Sequence, residues 1–104
     1  AGTAGLPAAI YSYPVTETGL GQPSHLATCP TGLYDGFRVD ASGNIWTSAG
    51  TNAMCYRPGG GPIATIEIGE IVGNVCFGGV KRNRLYICGP TSLYSLFVNA
   101  RAAV

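Results

Sequence analysis

Charge is scarce in this sequence, and its absence narrows the possible partners. The 104 residues include 6 Lys and Arg and 5 Asp and Glu, which gives a net charge of +1. We therefore expect no basic face for nucleic acid. No apolar run approaches the roughly 20 residues that a membrane helix needs, so we expect no membrane partner either. The N-terminal end has neither a positively charged region nor a long apolar one, which predicts that no signal peptide is present.

Metal-binding residue patterns are also scarce. His25 is the only histidine, and none of the cysteines forms a C-x-x-C pair, so a zinc site has little support. The cysteines are Cys29, Cys55, Cys76 and Cys88. Apolar, strand-like runs surround the last three, which favours reduced thiols that pack as small hydrophobes in a core. A Cys76–Cys88 bridge between neighbouring strands remains an alternative. Reduced cysteines favour a reducing, cytoplasmic compartment.

Glycine and proline are abundant, and they separate short β-favouring runs. The 16 Gly and 7 Pro fall between stretches rich in Tyr, Ile, Val and Thr, and no segment has a helical period. This composition is typical of an all-β protein with many turns. Residues 1–7 are predicted to form a loop. The predicted strands cover residues 9–15, 24–29, 37–40, 44–48, 53–57, 63–68, 71–77, 84–88 and 92–98.

An internal repeat of 39–40 residues organises these strands. Asp35-Gly36-Phe37, Asn44-Ile45-Trp46 and Met54-Cys55-Tyr56 are echoed by Asn74-Val75-Cys76, Arg84-Leu85-Tyr86 and Leu93-Tyr94-Ser95. A period near 40 residues with four short strands is the signature of a β-propeller blade. We therefore predict an all-β partial propeller of about two and a half blades. Residues 9–29 would be the outer half of one blade, 34–68 a full blade, and 71–98 a last blade without its outermost strand.

The repeat also places two polar residues beside the propeller axis. The innermost strand of a blade begins next to the axis, and Asp35 and Asn74 hold equivalent starts in successive blades. Both side chains could therefore reach the central channel on one face of the disc. The alternative for Asp35 is a turn residue that caps its own backbone. The alternative for Asn74 is a structural amide rather than a contact with substrate.

Four motifs resemble those of the gluconolactonase/regucalcin (senescence marker protein) family. They are Asp35-Gly36-Phe37-Arg38-Val39-Asp40, Gly43-Asn44-Ile45-Trp46, Asn74-Val75-Cys76-Phe77-Gly78-Gly79 and Leu85-Tyr86-Ile87. They stand in the family's order, and the resemblance covers the chain from about Ile10 onward. It implies the C-terminal part of a six-bladed propeller whose other blades come from a longer chain or from other chains. One departure is Tyr34, because the family commonly has Pro before the Asp-Gly pair.

The resemblance further implies a divalent cation in the channel, one of Ca²⁺, Zn²⁺, Mg²⁺ or Mn²⁺, and hydrolysis of sugar lactones or related esters. Family members bind the metal through a Glu, one or more Asn and the Asp of the Asp-Gly pair. Only that Asp transfers here, onto Asp35, because the regions that carry the other ligands are absent from this chain. The metal would polarise the lactone carbonyl, and Asp35 could also serve as the general base for water.

The remaining candidates favour structural roles. Asp40 is expected to stabilise the turn after it, Trp46 and Phe77 to lie in the blade core, and His25 to lie on the surface. Ser48 has no plausible His partner nearby, which argues against a serine nucleophile.

Two functional hypotheses follow from the sequence. In the first, the chain is the C-terminal part of a metal-dependent sugar-lactone hydrolase and is inactive alone. In the second, it is a non-catalytic propeller module that binds a ligand or assembles with copies of itself, since a fold alone does not fix a function.

Overall fold

A computed structural model describes residues 8–30 and 32–103 of the chain, and this part consists of strands and turns. The predicted loop at residues 1–7 lies outside it. None of the described segments forms a helix capable of spanning a membrane. The strands are β1 (Ala9–Ser12), β2 (Val15–Thr16), β3 (Gly19–Leu20), β4 (Ser24–Thr28), β5 (Phe37–Val39), β6 (Ile45–Ala49), β7 (Asn52–Tyr56), β8 (Pro62–Glu67), β9 (Asn74–Gly78), β10 (Arg84–Cys88) and β11 (Leu93–Phe97).

The central sheet is an antiparallel meander of four strands in the order β5-β6-β7-β8. Its first turn contains Gly43 at a φ of 86°, and its last turn contains Gly60 at a φ of 103°. Both values lie in the region that glycine adopts most easily. At Gly60 a side chain is also excluded sterically, because an added Cβ would lie 2.1 Å from the Leu26 carbonyl oxygen. The glycine-rich turn thus lets β4 pack tightly against the central sheet.

Alternate residues of the central sheet enter two different cores. Ala49, Met54 and Tyr56 face β1 and β4, where Leu26 and Ala27 cover them. Ala53 and Trp46 face the opposite way, toward Val75, Leu85 and Ile87 of the C-terminal sheet. This division follows from the two-residue period of a strand. The sheets therefore stack face to face on both sides of the central one, as propeller blades do.

Within the part of the chain that the structure describes, the C-terminal sheet has three strands in the order β11-β10-β9, one fewer than the central sheet. The predicted core role of Trp46 and Phe77 fits the structure, because the two half-buried rings meet edge to face at 5.8 Å. Such pairs add to the stability gained from burial alone.

The prediction that Cys76 and Cys88 are core residues is wrong. Val75, Leu85 and Ile87 take the buried face of the C-terminal sheet, so Cys76 is only half-buried and Cys88 is exposed. Cys55 is buried as expected. Cys76 is paired with Tyr86 across the ladder, and Cys88 is paired with Asn74. Cys55, Cys76 and Cys88 all remain thiols.

The N-terminal end of the described chain differs from the sequence prediction, and residues near the C-terminal end connect two turns. The predicted strand at residues 9–15 ends at Ser12, and β2 and β3 form a small hairpin between β1 and β4. Within it the Thr16 hydroxyl donates a hydrogen bond to the Gly19 carbonyl at 2.7 Å. Near the other end, Ala102 forms a bridge with Asp40 and donates from its amide to the Arg82 carbonyl at 3.0 Å. The last residues thus tie two turns together.

Candidate functional site

A buried serine fixes the backbone at the start of β5. The Ser48 hydroxyl oxygen accepts hydrogen bonds from the amides of Asp35, at 2.8 Å, and Gly36, at 3.0 Å. The Ser48 amide in turn donates to the Gly36 carbonyl at 2.9 Å. Ser48 is completely buried. It therefore acts as an anchor for the Asp-Gly pair, and this role escaped the sequence analysis, which weighed it only as a nucleophile.

The two predicted site residues, Asp35 and Asn74, lie at the same end of neighbouring strands. A Cβ added at Gly36 would lie 2.1 Å from the Asn74 side-chain oxygen, and one added at Gly73 would lie 3.9 Å from Asp35 Oδ2. The glycine after Asp35 thus leaves the space that the Asn74 amide occupies. This close approach is a steric reason for glycine at that position, where the φ angle does not demand it.

The Asp35 carboxylate is exposed, and none of the described residues donates a hydrogen bond to it. The alternative role of a self-capping turn residue is therefore not what the structure displays. Asn74 is exposed too, and its side-chain oxygen accepts a hydrogen bond from the Val75 amide at 2.8 Å. The two residues offer oxygen atoms of the kind that hard divalent cations prefer.

Asp40, in contrast to Asp35, has a carboxylate that is fully engaged in its own turn. The predicted structural role of Asp40 is confirmed. Its buried carboxylate accepts hydrogen bonds from the Ser42 amide, from the amide and side chain of Asn44, and from the Trp46 indole, at 2.9–3.1 Å. Burial alone would raise the pKa of Asp40, but the hydrogen bonds from Trp46, Asn44 and Ser42 outweigh it and lower that pKa. Asp40 is thus a charged turn residue rather than a site for catalysis.

Tyr34, the residue that departs from the family pattern, points mainly into the core. It is 6% exposed, and its hydroxyl lies 2.7 Å from that of Tyr56, which donates to the Met54 sulfur at 3.4 Å. Burial and the neighbouring Tyr56 hydroxyl raise the pKa of Tyr34. A neutral, buried phenol is a poor general base. Tyr34 therefore anchors the chain just before Asp35 in the core, and it adds no reactive group to the site.

Glu70 is a second residue that the sequence analysis missed, and it holds the turn between β10 and β11. Its carboxylate accepts hydrogen bonds from the Thr91 hydroxyl at 2.6 Å, from the Thr91 amide at 3.2 Å, and from the Tyr94 hydroxyl. The bonds from Thr91 and Tyr94 lower the pKa of Glu70. A Cβ at Gly89 would lie 2.7 Å from the Glu70 carboxyl carbon, so glycine admits this contact. In the sequence, the sign of this role was the position of Glu70 as an acidic residue between two predicted blades.

Two clefts open at this end of the sheets. One has a volume of about 510 Å³ and includes Asp35 in its lining. The other, of about 460 Å³, includes Asn74, Cys88 and Pro90. Ile71 contributes to both. Among the described residues no group of three or more His, Cys, Asp or Glu side chains could enclose a metal ion. At this end of the sheets the described residues therefore offer one carboxylate, from Asp35, and one amide, from Asn74. These groups suit a hard cation in kind but are fewer than a complete ligand set.

Comparisons with known proteins identify the relatives of the chain. Residues 3–90 match the sequence profile of the SMP-30/gluconolactonase/LRE-like region. A search of curated protein sequences returned no match.

Three solved structures are similar to the chain. One is a protein classed as a gluconolactonase, with 30% identity and a TM-score of 0.80 over 92% of this chain and 33% of the other. A second is a gluconolactonase of Xanthomonas campestris, with 30% identity and a TM-score of 0.78 over 86% of this chain and 30% of the other. The third, a luciferin-regenerating enzyme, has 17% identity and a TM-score of 0.78 over 90% of this chain and 39% of the other, which supports the fold alone. The chain thus spans about a third of the length of these proteins.

Proposed function

The chain belongs to the SMP-30/gluconolactonase/LRE-like family, and from that premise we propose that it is part of a metal-dependent lactone hydrolase. One observation carries the proposal. The Asp35 carboxylate is exposed beside Asn74 while Ser48 holds its backbone in place. The Asp35 backbone is fixed by Ser48, and no described residue donates a hydrogen bond to the Asp35 carboxylate. The carboxylate is therefore available to a cation or to a reacting water.

Each residue at this end of β5 and β9 has a separate task in the proposal. The Asp35 oxygen atoms contribute to binding Ca²⁺, Zn²⁺, Mg²⁺ or Mn²⁺, and Asp35 can accept a proton from the attacking water. When bound, the cation supplies the positive charge that polarises the lactone carbonyl. Asn74 contacts the substrate through its amide, and Ser48 is a positioning residue that keeps Asp35 at the rim.

The chain is proposed to act only as part of a larger propeller. In this proposal its blade units are residues 9–29, 34–68 and 71–98. Among the described residues, the C-terminal sheet is one strand short of the central sheet. The chain spans about a third of its structural relatives, so the missing blades and the other metal ligands come from a longer chain or from other chains. We therefore expect the isolated chain to bind a divalent cation weakly and to hydrolyse no lactone.

Cation titration followed by a lactone assay tests this proposal. Binding of Ca²⁺ or Mn²⁺ to the isolated chain is measured by calorimetry, and hydrolysis of glucono-δ-lactone by the acid that it releases. Asp35→Asn should abolish cation binding, whereas Glu67→Gln, which alters an exposed carboxylate on β8, should retain it. Rapid hydrolysis by the monomeric chain, or equal cation affinity in Asp35→Asn, would contradict the proposal.

The second candidate function is a self-assembling binding module, and the incomplete C-terminal sheet favours it. β11 has no outer neighbour within the described residues, and Leu93 and Phe97 on it are 67% and 71% exposed. An open edge with apolar side chains invites pairing with another chain. Light scattering after size-exclusion chromatography distinguishes the two functions. A discrete oligomer that closes a ring supports the module, whereas a monomer or a polydisperse aggregate supports the fragment of an enzyme.

A further inference from the structure

Described residues of this chain line a cleft beside Asp35. Its lining comes from three segments around the central sheet, namely the loop before β5, the turn between β6 and β7, and the loop before β9: Gly32, Leu33, Tyr34, Asp35, Gly50, Thr51, Ile71 and Val72. The volume of about 510 Å³ falls within the range of small-molecule sites.

Backbone contacts to Gly50 hold the walls of this cleft together. The Gly50 amide donates a hydrogen bond to the Leu33 carbonyl, and the Gly50 carbonyl accepts one from the Val72 amide, both at 2.9 Å. Gly50 has a φ of 64°, and a Cβ added at Gly32 would lie 2.7 Å from the Gly50 Cα. The three segments therefore meet at one tightly packed point. The cleft is preformed, which reduces the conformational cost of binding.

Apolar side chains dominate the lining. Leu33 is 53% exposed and Ile71 is 67% exposed, while Tyr34 and Val72 are buried. The Tyr34 hydroxyl is paired with that of Tyr56, so the polar side chains that the lining leaves for a ligand are Asp35 and Thr51. A polyhydroxylated sugar ring brings several hydroxyl groups that need hydrogen-bond partners, and this surface offers few. An alkyl chain needs none and would cover the exposed parts of Leu33 and Ile71.

We propose that this cleft binds the alkyl chain of a lactone whose carbonyl group lies at Asp35. The inference rests on the proposed function and specifies its substrate class as alkyl-substituted lactones or related apolar esters. The carboxylate marks the polar end of the site because it is the single charged group in the lining. The alkyl substituent of the lactone ring then packs against the apolar part of the lining.

Binding of a homologous series of γ-lactones tests the proposal on the isolated chain. The lactones differ only in the length of the alkyl substituent, and their affinities are measured by saturation-transfer NMR and calorimetry. Each methylene that enters the cleft should raise the affinity about fourfold until the cleft is full. Glucono-δ-lactone should bind much more weakly than the longer members. An affinity that does not change with chain length overturns the proposal.

Two variants, in different segments of the lining, connect this effect to the cleft. Ile71→Asn and Leu33→Ser should each lessen the gain per methylene, and Val80→Asn is the matched control because Val80 is fully exposed in the turn between β9 and β10. Circular dichroism confirms that each variant is folded. If Val80→Asn lessens the gain as much as the cleft variants do, the proposal is wrong.

The outcome is separable from that of the proposed function. Asp35→Asn should remove cation binding and leave the dependence on chain length intact. A preserved chain-length effect without any role for Asp35 in cation binding would contradict the proposed function alone. Cation binding that depends on Asp35, together with a flat affinity series, would overturn the substrate class alone.

Discussion

Replacement of Ser48 by alanine is the most direct test of how the candidate site is held. The substitution removes one hydroxyl oxygen that accepts from the amides of both Asp35 and Gly36. Ser48 is completely buried, so water does not easily reach the vacated position. The amides of Asp35 and Gly36 then lose the acceptor that they share.

The structure sets the size of the expected effect. A buried donor left without a partner costs about 1–3 kcal/mol, whereas one that water can reach costs much less. Asp35 is exposed and Gly36 is half-buried, so solvent recovers part of the loss. We therefore expect Ser48→Ala to lower the free energy of unfolding by roughly 1–3 kcal/mol in total rather than by twice that amount. The affinity for a divalent cation should fall with it, because Asp35 is no longer fixed.

Urea denaturation measures the first effect, and cation calorimetry measures the second. Ser42→Ala is the matched control, since Ser42 is exposed and contacts Asp40 through its backbone amide. It should change the unfolding free energy by less than about 0.5 kcal/mol. A Ser48→Ala variant that is as stable as the control and binds cations as well as the unaltered chain would refute the reasoning.

Three further predictions concern single contacts. Asp40→Asn should lower stability at neutral pH by roughly 1–3 kcal/mol and flatten its dependence on acid. In the folded chain the pKa of Asp40 lies below its usual value of 3.8. The stability that the Asp40 carboxylate contributes is therefore fully present above pH 3.8 and is lost as the pH falls through the lower, folded-state pKa. Acid titration of the chain, followed by fluorescence, measures this loss. Gly36→Ala should turn the Asn74 side chain away and shift the Val75 amide resonance, with a loss of stability below about 2 kcal/mol because Asn74 can move. Cys88 should react with a thiol reagent in the native state, whereas Cys55, whose pKa burial and the Asp40 charge raise to about 11, should react only after unfolding.

The sequence was informative wherever a residue acted through its own neighbours. The Asp40 turn could be predicted because its carboxylate contacts residues at most six positions away. The equivalent placement of Asp35 and Asn74 followed from the repeat, and the structure brings these two residues together. Each of these inferences needed only a local pattern or a regular period.

Contacts between distant segments could not be predicted in the same way. Ser48 accepts from an amide 13 residues earlier, and Glu70 accepts from Thr91, 21 residues later. No alternation or turn motif encodes such a pairing. The exposure of Cys88 depends on which face of its strand meets the central sheet, and an apolar run alone does not specify that face.

The apolar cleft could not be predicted from the sequence either. Leu33 and Ile71 stand 38 positions apart, and the hydrogen bonds at Gly50 bring their loops to the same opening. In the sequence, Leu33 belongs to an unremarkable loop and Ile71 to a predicted strand. Their shared surface exists only after three segments have folded against one another.

The stacking of three sheets has a consequence for the dynamics of the chain. The central sheet is covered on both faces, whereas the sheet of β1 and β4 and the sheet of β9, β10 and β11 each contribute to one of the two cores. Local opening therefore costs least at the outer layers. Amide hydrogen exchange should be slowest in β6 and β7 and fastest in β2, β3 and β11, and the Ser48 anchor of Asp35 lies within the slowest layer.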